Sequence, residues 1–166
     1  MFKGRKIIAL CLTRLSNDET TAKVAELNKA LIAKDYRLFV YNACTDFYHN
    51  NRFENAEKKV YSLIDYNVVD AVVIFSEAFK DTSIVDELRM DAEAHNVPVF
   101  ILGNRSEKCT SFIFDYEAGF EQAVRHIIEY HGITDTAMIA GFKGEEHSEQ
   151  RIAVYKKVLA ENCPAV

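Results

Sequence analysis

Glycine and proline are scarce, six and two among 166 residues. That excludes collagen-like and linker-like chains and leaves few places for a phosphate-cradling loop. The basic excess of a free-standing nucleic-acid binder is missing, since the formal net charge is −5, and no nucleic acid is expected as a partner of this chain. No apolar run approaches the roughly 18 residues of a membrane span. The opening "MFKGRKIIALCL" sets basic residues before an apolar stretch, but that stretch is six residues and breaks at Thr13-Arg14, too short for a signal peptide. A cytoplasmic protein with no membrane partner is expected. The four cysteines, Cys11, Cys44, Cys109 and Cys163, form no C-x-x-C pair, and the five histidines show no H-E-x-x-H spacing. Neither metal nor cofactor is expected, and Cys11 and Cys44 read as small hydrophobes in strand-like runs.

What is present is one domain's worth of apolar material, 49% of the chain, in short runs that alternate with amphipathic segments. "KIIALCLT" (6–13), "YRLFVYNAC" (36–44), "DAVVIFS" (70–76), "VPVFILG" (97–103), "SFIFD" (111–115) and "TAMIAGF" (136–142) read as strands. Between them lie helical patterns. Ser16 and Glu19 fit a capping box ahead of Val24, Leu27, Leu31 and Ile32. Phe53, Ala56, Val60, Leu63 and Ile64 mark a second apolar face, and Ile84, Leu88 and Ala92 a third. Two more helices are expected over about 120–130 and 146–161. Strands alternating with helices predict an α/β fold, a mainly parallel, doubly wound sheet of about six strands in a single lobe over residues 1–166.

Ligands of such folds sit outside the carboxyl ends of the strands. The first of these loops, "TRLSNDETT", has no glycine, which argues against NAD or FAD. "GFKGEE" (141–146) lacks the phosphate-loop pattern, and no G-x-S-x-G elbow or receiver-type acidic cluster appears. No catalytic residue is assigned. Binding candidates are Asn17 and Glu19 in the first loop, Ser76 at the end of the third strand, Asn104-Arg105 after the fourth, and Arg151 in the last helix. Each also has a local reading as a cap, a turn former or a surface ion pair, Arg151 with Glu145, Glu146 or Glu149. Asp115 ends the fifth strand where a helix begins and suits an N-cap, with Glu117 adding charge favourable to the helix dipole.

In order along the chain, these segments resemble the sensor domain of the LacI/GalR family of bacterial transcription regulators. "KIIALCLTRLSND" is similar to the family's opening strand and loop, "VVDAVVIFS" to its "VDGIIL", and "HNVPVFILGNR" to its "GIPVVLIDR". "FIFDYEAGFEQAVRHIIEYHGITDTAMIAG" resembles its strand, aspartate, glycine and helix, and "SEQRIAVYKKVL" its "R-x-x-G-Y-x-x-A-L" helix. The resemblance implies the periplasmic-binding-protein-like fold, here its N-terminal lobe. It implies a small effector, sugar-like or nucleobase-like, bound between two lobes, and a homodimer. It places Asn17, Ser76, Asp115 and Arg151 on the ligand. It also departs from the family: "NDET" replaces an "NPFF" that can supply a stacking aromatic, His131-Gly132 inverts a "GH", and Val154 and Val158 replace a glycine and an alanine. No helix-turn-helix precedes Lys6, so a sensor ahead of a diguanylate cyclase or kinase stands beside a transcription regulator. A small flavodoxin-like enzyme and a dimerisation module without ligand are further alternatives.

Overall fold

The computed structural model describes residues 4–49, 51–141, 143 and 146–162. Five strands, β1 (Ile7–Thr13), β2 (Arg37–Ala43), β3 (Ala71–Phe75), β4 (Val99–Leu102) and β5 (Thr110–Phe112), form one sheet in the order β2-β1-β3-β4-β5. All four pairings are parallel, with Cys11 opposite Tyr41 on one side and Ile74 on the other. The continuous apolar runs have a direct cause. On β1, Ile7, Ala9 and Cys11 enter one core while Leu10 and Leu12 enter another. On β3, Val72 and Ile74 share the first core and Phe75 the second. A central parallel strand is covered on both faces, so neither face tolerates polar residues.

The second core is covered by α1 (Asp18–Ile32) through Val24 and Leu27. Its cap is Asn17 rather than Ser16: the Asn17 side chain accepts from the N–H of Glu19 at 3.0 Å and of Thr20 at 3.3 Å. The first core is covered by α3 (Thr82–Ala94), whose Ile84, Leu88 and Ala92 are buried as their spacing predicts. It is also covered by the segment after β2, which departs from expectation. A short α2 (Arg52–Glu57) tightens into a 3₁₀ turn over Lys58–Leu63. Within α2 itself the expected face is already turned out, Phe53 being 81% exposed and Glu54 buried; beyond it the tighter pitch buries Tyr61 and Ile64 and leaves Leu63 70% exposed.

By its internal contacts the chain divides into two compact units, Met1–Ile113 and Phe114–Val166. The second consists of α4 (Glu117–Arg125), continued by a π-helical turn over His126–Tyr130, and α5 (Glu146–Asn162). Val124, Ile128, Val154 and Val158 form its core. The sixth expected strand, 136–142, is not there: none of its described residues is in a strand, and Ile139 is fully exposed. At its start the Thr136 carbonyl accepts from the Tyr155 hydroxyl at 2.8 Å rather than from a neighbouring strand. An apolar run becomes a strand only when a neighbouring ladder takes its N–H and C=O groups, and composition alone cannot say whether one does. Phe142 lies outside the described residues.

The two helices are joined across their exposed side by Arg125, which bonds Glu121, Glu129 and Glu161, while Lys157 pairs with Glu121. The hydrogen bonds to Glu161, Glu121 and Glu129 raise the Arg125 pKa above its ordinary value. Arg125→Ala leaves these acids without their common cation. Hydrogen exchange in α4 and α5 should therefore quicken, and added salt should slow it again by screening the repulsion. Exchange indifferent to both would show the ion network to be incidental.

Candidate functional site

In the first unit the carboxyl ends of β1, β2 and β3 are tied together by side chains. Thr13, buried, places its hydroxyl 3.1 Å from both the Asp46 carboxylate and the Ala78 carbonyl. Arg14 turns into the left-handed region at φ 49° and sets its Nε 3.0 Å from the same Asp46 oxygen. The Leu15 N–H donates to Asn42 Oδ1 at 2.8 Å, so the first loop is hung from β2. The loop after β2 is organised from within by Glu54, only 5% exposed, which accepts from the N–H of His49 at 2.8 Å and of Asn51 at 3.4 Å and from the Thr45 hydroxyl at 3.1 Å. Sequence reading assigned roles to none of these. Their one local signal is the run of polar residues Thr13-Arg14 and Thr45-Asp46 directly after apolar strands.

Asn17 is exposed at this edge, its carbonyl oxygen taken by the helix cap. Among the described residues its amide N–H groups have no partner, which leaves two donors for a ligand hydroxyl or carbonyl. Ser76 is at the edge but 2% exposed. Its hydroxyl donates to the Leu102 carbonyl at 3.0 Å and accepts from the Asn104 N–H at 2.9 Å. Its single proton is thus committed to joining the loops after β3 and β4. Glu19 pairs with Lys23 at 2.7 Å, and that ion pair lowers its pKa.

In the second unit Asp115 and Arg151 occupy the same end. Tyr116 meets His147 edge to face at 5.5 Å, and farther along Lys157 reaches Glu121 and Arg125 reaches Glu161. This order of contacts makes α4 and α5 parallel, with both N-termini together. Asp115 caps α4 by accepting from the N–H of Glu117 at 3.0 Å and of Ala118 at 3.4 Å. It remains exposed, and a carboxylate holds more hydrogen bonds than these two. Arg151, on the second turn of α5, is also exposed. Among the described residues it makes no hydrogen bond or ion pair, with Glu146 and Glu149 included; Glu145 lies outside them. An acceptor and a five-donor fork therefore stand at one end of this helix pair, a set suited to hydroxyl and carboxylate groups.

Burial pushes the Cys11 thiol far above its ordinary range, so Cys11 acts as a core hydrophobe. No group of three or more metal-ligating side chains occurs among the described residues. No helix among them is long and apolar enough to cross a membrane.

No protein-family model matches the chain, and no curated protein does. Solved structures do. The lac repressor dimer bound to operator and the anti-inducer ONPF is similar over 96% of this chain and 52% of its own, at 20% identity and a TM-score of 0.70. A LacI-family regulator from Burkholderia phymatum is similar over 93% and 54%, at 20% identity and a TM-score of 0.69. The LacI-family regulator CCPA from Weissella paramesenteroides, solved with bound glucose, is similar over 94% and 54%, at 16% identity and a TM-score of 0.67. The chain has the fold of LacI-family regulators. It spans about half the length of the solved regulators it matches. These structural neighbours are regulators, not enzymes.

Proposed function

We propose that this chain is an effector-sensing lobe of a LacI-type transcription regulator or a related cytoplasmic signalling protein. The effector is sugar-like or nucleobase-like and binds where this lobe meets a second one, and the full-length protein is a homodimer. One observation carries the reading: the fold is shared over nearly the whole chain with LacI-family regulators, one of them holding glucose. Fold alone leaves function open, and the polar groups at the expected edges add to it. Asn17 supplies amide donors, and Asp115 and Arg151 supply an acceptor and a cation. Ser76, its hydroxyl engaged, acts by holding the loops after β3 and β4.

A thermal-shift screen of the full-length protein against sugars and nucleosides tests this. A ligand at a hundredfold excess over its dissociation constant stabilises the native state by about 2.7 kcal/mol, a plain rise in melting temperature. Arg151→Ala should cut the rise to about half or less, as a tenfold to hundredfold loss of affinity requires. If no sugar or nucleoside raises the melting temperature, the effector reading fails and a dimerisation scaffold takes its place.

A further inference from the structure

The π-helical turn after α4 is closed by the His131 N–H donating to the His126 carbonyl at 3.2 Å. A π-turn brings residues five apart onto one face, and π-turns are frequent at functional sites. Here both such residues are histidines. Their Nε2 atoms face each other at 3.1 Å, with ring planes 87° apart. Tyr130 fixes both rings: it stacks on His126 at a centroid distance of 4.9 Å and meets His131 edge-on at 5.0 Å. All three side chains are exposed.

Two imidazole nitrogens bound to one ion at about 2.0–2.1 Å in neighbouring coordination positions stand about 3 Å apart, the separation found here. Without an ion the pair is held by one N–H···N bond. Binding breaks that bond, which frees the accepting lone pair for the ion. It takes the second when the donating ring moves its proton to Nδ1, with no net proton released from a neutral pair. We propose that His126 and His131 form a surface site for a divalent transition-metal ion of the Ni²⁺, Cu²⁺ and Zn²⁺ class. Imidazole nitrogen selects these ions over Mg²⁺ and Ca²⁺, which require oxygen. With no third protein ligand among the described residues, water fills the other positions and the ion exchanges freely. The site stands apart from the Asp115 and Arg151 end of the helices and does not depend on effector binding.

The test is titration of the untagged full-length protein with Ni²⁺, followed by the ring resonances of its histidines. The first equivalent should broaden His126 and His131 while His49 and His95 stay sharp. His131→Gln and His126→Gln should each weaken binding about tenfold or more, since loss of even an outer partner of a metal ligand costs about that much. Circular dichroism should show both variants folded, the replaced rings being exposed. Broadening centred on another histidine, or unchanged affinity in both variants, would overturn the proposal.

Discussion

Glu54→Ala should lower unfolding free energy by about 3 kcal/mol, because at least three donors among the described residues lose their acceptor at about 1–3 kcal/mol each, partly offset by water. Those donors are the N–H groups of His49 and Asn51 and the Thr45 hydroxyl. They bracket the whole loop between β2 and α2, so the damage falls on the carboxyl edge of the sheet as well as on global stability. Urea denaturation measures the first effect, and amide exchange over residues 45–51 the second. Glu54→Gln keeps one carbonyl acceptor and should fall between alanine and wild type. A loss in the alanine variant below about 1 kcal/mol, within the range of a single net hydrogen bond, would show that water replaces the carboxylate and that the loop is not organised by it.

Gly103→Ala should cost about 2–6 kcal/mol, from two separate causes. The backbone there has φ +113°, where a side chain strains the chain by about 1–3 kcal/mol. A methyl group would also stand 2.2 Å from Glu77 Cγ and 3.2 Å from its Cβ, and overpacking of this kind costs about 1–3 kcal/mol. A double-mutant cycle separates the two. Glu77→Ala in the Gly103→Ala background should return the overpacking share and leave the backbone share. Gly103 precedes Asn104, whose N–H is held by Ser76. The variant should therefore also loosen the join between the loops after β3 and β4. Additive effects of the two substitutions would mean that Glu77 simply moves aside.

How legible these features were in the sequence depends on how far their causes reach along the chain. β1, β3 and β4 announce themselves because strands covered on both faces need uninterrupted apolar runs, as Leu10, Leu12, Val72 and Ile74 show. The helix cap at Asp115 was legible for the same kind of reason, since its bonds reach only two and three residues ahead. Local reasoning failed where a partner decides the outcome. Residues 136–142 carry a strand's composition, yet Thr136 is held by Tyr155, 19 positions away. In the turn after α2 a 3₁₀ pitch, not 3.6 residues per turn, places Tyr61 inward, with its hydroxyl on the Leu12 carbonyl at 2.8 Å.

The candidate site divides the same way. Asn17, Asp115 and Arg151 are candidates by position, after a strand or near a helix start. The Thr13–Asp46 and Ser76–Asn104 links span 33 and 28 residues, and no local pattern encodes them. Ser76 shows the difference most clearly: its place at the edge is readable from the apolar run that ends there, whereas the commitment of its hydroxyl is visible only once β4 lies beside β3.

The central proposal is that the chain is an effector-sensing lobe with Arg151 on the ligand. Its most direct test is calorimetric titration of the full-length protein, wild type and Arg151→Ala, with the ligand that gives the largest thermal shift. The account predicts one-to-one binding per chain and a loss of about tenfold to a hundredfold in the variant, the span of a hydrogen bond to a charged group. Equal affinity in the two proteins would contradict it.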